Sequence, residues 1–193
     1  MDALCRPTAV DIRALFESIV HILPSEEDNP DVEFMVVIAP SVPQILLLDE
    51  TYIHRIFMSL LSNAFKFTKV GYVLLTIDYI SNDFIARVTD TGVGIPQIFL
   101  PRLFEPFSQA ATQGSQRGTG LGLSIIKELL HKMDGCLSVV SEYAESQSPN
   151  IRTGTSFTVT IPARPPSSGH TLLENTFCSD RIAMFAQEEP INQ

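Results

Sequence analysis

Asp90-Thr91-Gly92-Val93-Gly94-Ile95-Pro96, Leu103-Phe104-Glu105-Pro106-Phe107 and Gly118-Thr119-Gly120-Leu121-Gly122-Leu123-Ser124 are two glycine clusters flanking one aromatic-proline element. Glycine tolerates backbone conformations closed to other residues and lets a ligand approach the main chain. Two such clusters in order, the second opening an apolar helix, suggest a nucleotide pocket. Upstream lies a third piece, a helix-like run over 53–68 that contains Asn63, Lys66 and Phe67.

Local signals give the elements around these clusters. Asp11 is placed to cap a helix reaching about Leu23, with Ile12, Leu15, Phe16, Ile19 and Ile22 at helical spacing. An acidic loop over 25–31 ends it, and 33–38 is β-branched and apolar enough for a strand. Asp49 offers an N-cap to a long helix carrying Ile53, Ile56, Phe57, Leu60, Leu61 and Ala64. Gly71 breaks that pattern. Strands over 72–79 and 84–89, joined around Ser81-Asn82-Asp83, make a hairpin that delivers Asp90 at its end. Residues 108–117 are polar and small, and 119–133 read as a helix with Leu121, Ile125, Ile126, Leu129 and Leu130 inward. Strands over 136–140 and 156–161 complete the sheet, separated by a polar excursion over 142–152 that is long for a hairpin loop. From Pro165 the chain turns Pro/Ser/Gly-rich and then polar without period. The expected organisation is one α/β (α+β) domain over 1–165 and a poorly ordered linker and tail over 166–193.

Composition narrows the function classes. At 193 residues and 45% hydrophobic content the chain buries one core. A formal net charge of -9 argues against nucleic acid and against an anionic membrane surface as partners. No apolar run approaches the roughly 20 residues of a membrane span, and the N-terminus lacks a signal-peptide hydrophobic region. The expectation is a soluble, cytoplasmic protein. Cys5, Cys136 and Cys178 are scattered, without CxxC spacing, and read as ordinary thiols.

The clusters carry distinct chemistry. Gly118-x-Gly120-x-Gly122 lacks both the GxxxxGK[ST] lysine and the GxGxxG spacing, so it is neither a P-loop nor a dinucleotide fingerprint. What remains is a glycine-rich helix N-terminus, whose unpaired N–H groups suit a triphosphate or simply serve the packing. Asp90 can accept a hydrogen bond from an exocyclic amine such as that of adenine, or can merely end a strand in a turn. Asn63 supplies a neutral oxygen for a magnesium shell, or a structural hydrogen bond. Lys66, one turn on, can reach a phosphate and Phe67 can offer a surface to a base; the bland readings are a solvated lysine and a core phenylalanine.

Taken together, Ser62-Asn63-Ala64-Phe65-Lys66-Phe67-Thr68 followed by the three stretches above resembles the N, G1, F and G2 boxes of the catalytic ATP-binding domain of sensor histidine kinases. The resemblance spans about 11–162, including the closing Gly154-Thr155-Ser156-Phe157, and Phe107-Ser108-Gln109-Ala110 is similar to the hybrid-kinase branch. It implies a Bergerat-type two-layer sandwich, a mixed sheet backed by helices with ATP under a flexible lid, here 108–117. It also implies roles by position. Asn63 would be the magnesium ligand, Lys66 a phosphate contact, Phe67 an adenine neighbour and Asp90 the adenine-reading carboxylate. Gly92, Gly94 and Ile95 would shape the base pocket beside Phe104. Gly118, Thr119, Gly120, Leu121, Gly122 and Leu123 would hold phosphate through their amides, Thr155 would lie on the adenine side, and Arg117 would stabilise charge during transfer.

The chain departs from the family pattern in three places. Ser59 stands one turn before Asn63, where the family commonly has another Asn, the lid is a residue or two short, and Arg117 replaces a frequent glycine. His21, His54, His131 and His170 lie outside any phosphoacceptor motif, and neither the phosphoacceptor hairpin nor a receiver domain is expected within these residues. The implied activity is therefore transfer of the ATP γ-phosphoryl group to a histidine on a separate hairpin, with a response-regulator receiver downstream and ATP and Mg2+ as cofactors. The alternatives are a nucleotide-binding scaffold or sensor without transfer, and a fold relative such as gyrase-type or chaperone ATPases or anti-sigma-type serine kinases. The chain is expected to be an isolated catalytic domain of a larger hybrid kinase and monomeric; light scattering should return a mass near 21.3 kDa, and twice that mass would contradict the expectation.

Overall fold

Strand β1 (Thr8–Asp11) leads into helix α1 (Ile12–Ile22), followed by β2 (Val32–Ile38), β3 (Ile45–Leu48) and the long helix α2 (Glu50–Phe67). The hairpin β4 (Gly71–Ile80) and β5 (Asp83–Asp90), helix α3 (Gly122–Lys132), and strands β6 (Cys136–Glu142) and β7 (Gly154–Pro162) complete the fold. This is a computed structural model, and it describes residues 5–23, 30–108, 119–143 and 153–166. Among them no helix is long and apolar enough to cross a membrane.

Five strands form one sheet in the order β2-β4-β5-β7-β6. The β2–β4 pair is parallel and the other three pairs are antiparallel, so the sheet is mixed. Side chains alternate across each strand, and Val73, Leu75, Ile77, Phe84, Ala86, Val88, Phe157, Val159 and Ile161 all turn to one side, each at 6% exposure or less. Among the described residues, the helices cover that side. α2 buries Ile53, Ile56, Phe57, Leu60, Leu61, Ala64 and Phe65, a stripe at the i, i+3, i+4 spacing that a helix presents to one face. The opposite side of the sheet carries pairs such as Arg87 with Thr158 and Thr89 with Ser156. The result is the two-layer α+β sandwich expected from the sequence.

Both aspartate caps form. Asp11 accepts from Ala14 N at 3.1 Å and Asp49 from Tyr52 N at 3.1 Å, each satisfying a donor that the first helical turn leaves open. Asp49 uses its other oxygen to accept from Arg6 N at 2.9 Å, which ties the N-terminal segment to α2. The β4–β5 hairpin turns on two residues, Ser81 and Asn82, with φ of 55° and 68°. Two left-handed residues match the twist of the flanking strands.

Several expectations need correction. β1 and β3 were not anticipated; they pair antiparallel as a separate two-stranded sheet. Each has four residues and no alternation long enough to register, so only the pairing makes them strands. α3 starts at Gly122 rather than at 119, because Gly120 has φ of 70°, outside the helical region. Ile125 and Ile22 face solvent at 46% and 61% exposure. α3 packs through Ile126, Leu129 and Leu130, which rotates Ile125 off the buried stripe, and Ile22 is the last residue of α1. The polar excursion lies largely outside the described residues, as does the tail.

Three rings hold the layers together. Phe57 of α2 meets Phe16 of α1 edge-on at 5.0 Å and Phe84 of β5 at 6.4 Å, and Phe16 stacks on Phe84 at 6.2 Å. Phe57→Ala should cost about 3–5 kcal/mol in denaturant unfolding, whereas Ile98→Ser, at a position 88% exposed, should stay within about 0.5 kcal/mol.

Candidate functional site

The strand register puts three polar residues in a line. Asp90 at the end of β5 pairs with Thr155 on β7, and Thr155 pairs with Ser141 on β6. They continue the helix-facing columns of Val88, Phe157 and Val139, which pair in the same way one step earlier. Asp90 and Thr155 are buried. Asp90 Oδ1 accepts from Gly92 N at 2.9 Å and from Thr155 N at 3.3 Å. Ser141 Oγ accepts from Ile95 N at 2.8 Å, donates to Gly154 O at 3.0 Å and lies 3.0 Å from Thr155 Oγ1.

The turn after β5 is pressed against backbone on two sides. A Cβ on Gly92 would overlap the Phe67 carbonyl at the end of α2. A Cβ on Gly94, whose φ is 75°, would overlap the Glu142 carbonyl at the end of β6. Both glycines are therefore required by close approach, and Gly94 by conformation as well. Val93 N donates to Phe67 O at 3.4 Å, so the last turn of α2 and the glycine turn form one wall. Thr68, the C-cap of α2, is buried there with its hydroxyl unpartnered among the described residues.

α2 also meets the second glycine cluster. Ser59 Oγ would be 2.7 Å from a Cβ on Gly122, so the first residue of α3 packs directly on the middle of α2. Gly120 O accepts from Phe107 N at 2.9 Å, which joins the aromatic-proline element to the helix entry. Leu103 is buried and Phe104 half-buried beneath it, while Phe107 is exposed with φ of 62°. α1 and α2 have aspartate caps, but α3 follows an N-cap, Leu121, that offers no side-chain cap among the described residues. Its first-turn N–H groups are left for another acceptor.

Most of the residues singled out in the sequence converge here. Asp90, Gly92, Ile95 and Thr155 belong to one hydrogen-bonded cluster with Ser141, and Gly94 lies in the same turn; Phe67 joins it through its carbonyl, Gly122 packs on Ser59 of α2 and Gly120 on the aromatic-proline element. Thr119 is exposed and Leu121 and Leu123 are half-buried at the same helix entry. Asn63 and Lys66 are half-buried one turn apart on α2, and the Lys66 ammonium lies 5.2 Å from the Phe67 ring centroid. Arg117 and Gly118, and the lid residues 109–117, lie outside the described residues. Ser141 and Thr68 were given no role by the sequence reading. Ser141 follows Leu137 and Val139 in the alternation of β6, a signal that locates its face but not its partner.

Burial dominates the electrostatics of Asp90. It pushes the carboxyl from 3.8 up to about 6, against the lowering effect of the Gly92 and Thr155 amides. A raised carboxyl pKa means that the folded state holds the proton more tightly than the unfolded one. The stability this contributes is present below 3.8 and is lost as pH rises through about 6. Asp90→Asn keeps an acceptor for both amides and removes the charge. It should raise the melting temperature at pH 8, by up to about 3 kcal/mol of stability, and the gain over wild type should vanish as pH falls to 4.

The sequence profile described as "Histidine kinase-, DNA gyrase B-, and HSP90-like ATPase" matches residues 48–165. Among curated relatives, sensor histidine kinase RcsC of Escherichia coli strain K12 is 44% identical over 131 residues, covering 65% of this chain and 12% of that protein. Hybrid signal transduction histidine kinase A of Dictyostelium discoideum is 37% identical over 139 residues, covering 65% of this chain and 6% of that protein. The chain thus spans a small part of the relatives it matches. Among solved structures, full-length ShkA in complex with AMPPNP aligns with a TM-score of 0.70 at 28% identity, covering 84% of this chain and 32% of that one. The mycobacterial sensor histidine kinase MprB aligns with a TM-score of 0.67 at 27% identity, covering 82% and 99%. With the mixed sheet, the two glycine turns and the buried carboxylate in place, the chain belongs to the histidine kinase-, DNA gyrase B- and HSP90-like ATPase family, as a catalytic domain homologous to those of sensor histidine kinases.

Proposed function

We propose that this domain, over 1–165, binds Mg·ATP and passes the γ-phosphoryl group to a histidine on a helical hairpin of another domain or chain. A response-regulator receiver domain would take the phosphoryl group next. The observation that carries the reading is the buried carboxylate of Asp90. Both backbone donors go to Oδ1, which leaves Oδ2 for a ligand beside a turn that only glycine permits. A desolvated acceptor of this kind suits the exocyclic amine of adenine.

The remaining residues fit a nucleotide. Asn63 would hold the metal and Lys66 would contact phosphate, while the uncapped start of α3 with Thr119, Gly120, Leu121, Gly122 and Leu123 would receive the phosphate oxygens. Phe67, Ile95, Phe104 and Thr155 would border the base. Arg117 and Gly118 keep their proposed roles in charge stabilisation and phosphate binding. Asn63 would hold a magnesium ion, which would supply positive charge to offset that developing during transfer. Orientation by Asn63 and Lys66 would be the chain's own contribution.

Ser59 favours a second reading, binding without transfer. Its hydroxyl lies against Gly122, where the family commonly has an Asn, and it is shorter and carries fewer donors. Transfer to a supplied hairpin separates the two.

Titration calorimetry with ATP, with and without magnesium, tests the pocket. Binding in the micromolar to sub-millimolar range, about -5 to -8 kcal/mol, is expected for wild type and should be lost in Asp90→Asn even though that variant is folded. Affinity should also be weaker at pH 5 than at pH 7.5, because a protonated Asp90 no longer offers a charged acceptor. Absence of binding by folded wild type would remove the nucleotide reading; binding without acid-labile phosphate on a hairpin would leave the scaffold reading.

A further inference from the structure

We infer that Ser141 is a positioning residue for base selectivity, fixing the direction of the Thr155 hydroxyl so that the site presents acceptors only to a base bearing an exocyclic amine. The inference rests on the nucleotide reading above and extends it to a residue outside the glycine and asparagine motifs.

The argument is a count of protons and lone pairs. A serine hydroxyl has one proton and two acceptor positions. Ser141 Oγ has three neighbours within hydrogen-bond distance: Ile95 N at 2.8 Å, Gly154 O at 3.0 Å and Thr155 Oγ1 at 3.0 Å. Ile95 N has only a proton to give and Gly154 O only lone pairs, so Ser141 accepts from the first and donates to the second. One acceptor position remains, and the third contact becomes a hydrogen bond only when Thr155 supplies the proton. Every site on Ser141 is then used. Reversing the Ser141–Thr155 bond would take the Ser141 proton away from Gly154 O.

The consequence reaches the ligand side of the row. With its proton committed to Ser141, Thr155 Oγ1 is left with lone pairs, and Asp90 Oδ2 likewise offers only lone pairs. Asp90 and Thr155 are paired across the strands and held together by Thr155 N donating to Asp90 Oδ1 at 3.3 Å. Two neighbouring acceptors suit an amino group, which brings two protons. A carbonyl in the same place brings none and meets two acceptors in a buried setting. Discrimination against a group that leaves buried polar atoms unpaired is steep. Ser141 itself is half-buried on the edge strand and acts through Thr155.

ADP and inosine diphosphate differ in the base at this position, amine against carbonyl, and serve as the probes. Calorimetric affinities of the full chain for both should show a strong preference for ADP in wild type. Ser141→Ala frees the Thr155 proton to turn toward a carbonyl, and the ADP-to-inosine-diphosphate affinity ratio should fall about tenfold. Ser141→Thr keeps the hydroxyl and should keep the ratio, and Ser141→Cys, a weak acceptor, should lower it as Ala does. An unchanged ratio in folded Ser141→Ala, with both affinities falling together or neither moving, overturns the inference and leaves Ser141 as a strand anchor. If Ser141→Ala does not fold, the Cys and Thr variants give the same comparison. Wild type that binds neither diphosphate would instead sink the nucleotide reading itself, a different result from an unchanged ratio.

Discussion

Burial of one face of α2 against the sheet is the constraint on which the rest depends. The Phe16, Phe57 and Phe84 rings lock α1, α2 and β5 to one another. An 18-residue helix fixed at its centre has its ends fixed too, because its length and rotation are set by backbone hydrogen bonds. The C-terminal turn with Asn63, Lys66 and Phe67 is thereby held against the strand end that carries Asp90. The middle of the same helix receives Gly122. Hydrophobic packing thus places the polar groups, and none of those groups has to supply the cohesion.

The site runs against stability in one respect. A carboxylate kept away from water beside β7 raises its own pKa and costs folding free energy at neutral pH. Two backbone amides offset part of the cost. Proteins retain such groups where a ligand uses them, and the surrounding apolar columns of the sheet supply the compensation.

Steric limits do the remaining positioning. Gly92 and Gly94 let the turn after β5 lie between the Phe67 and Glu142 carbonyls, where a Cβ would overlap either one. The turn therefore bridges α2 and β6, and Ile95 N reaches Ser141 as a result. Gly122 lets the start of α3 lie against the Ser59 side chain of α2. Gly92 and Gly94 are points where two backbones approach too closely for a side chain, whereas at Gly122 a Cβ would meet the Ser59 hydroxyl.

Much of this was legible in the residues alone. The Asp11 and Asp49 caps, the α2 stripe and the β4–β5 hairpin follow from local hydrogen bonding and periodicity, which act over a few residues, and the four boxes are legible by resemblance to a family. The boxes also carried the family. β1 and β3 were hidden because four residues make no pattern until a partner is paired. The exposure of Ile125 and Ile22 was hidden because periodicity gives spacing but not which neighbour arrives. Ser141 was invisible as a site residue for the same reason. Its chemistry depends on a register that brings it opposite Thr155 and, beyond that, Asp90. Local sequence determined which elements form and which residue types they carry; the alignment of strands distant in the chain, a matter of long-range packing, decided which of those residues share protons.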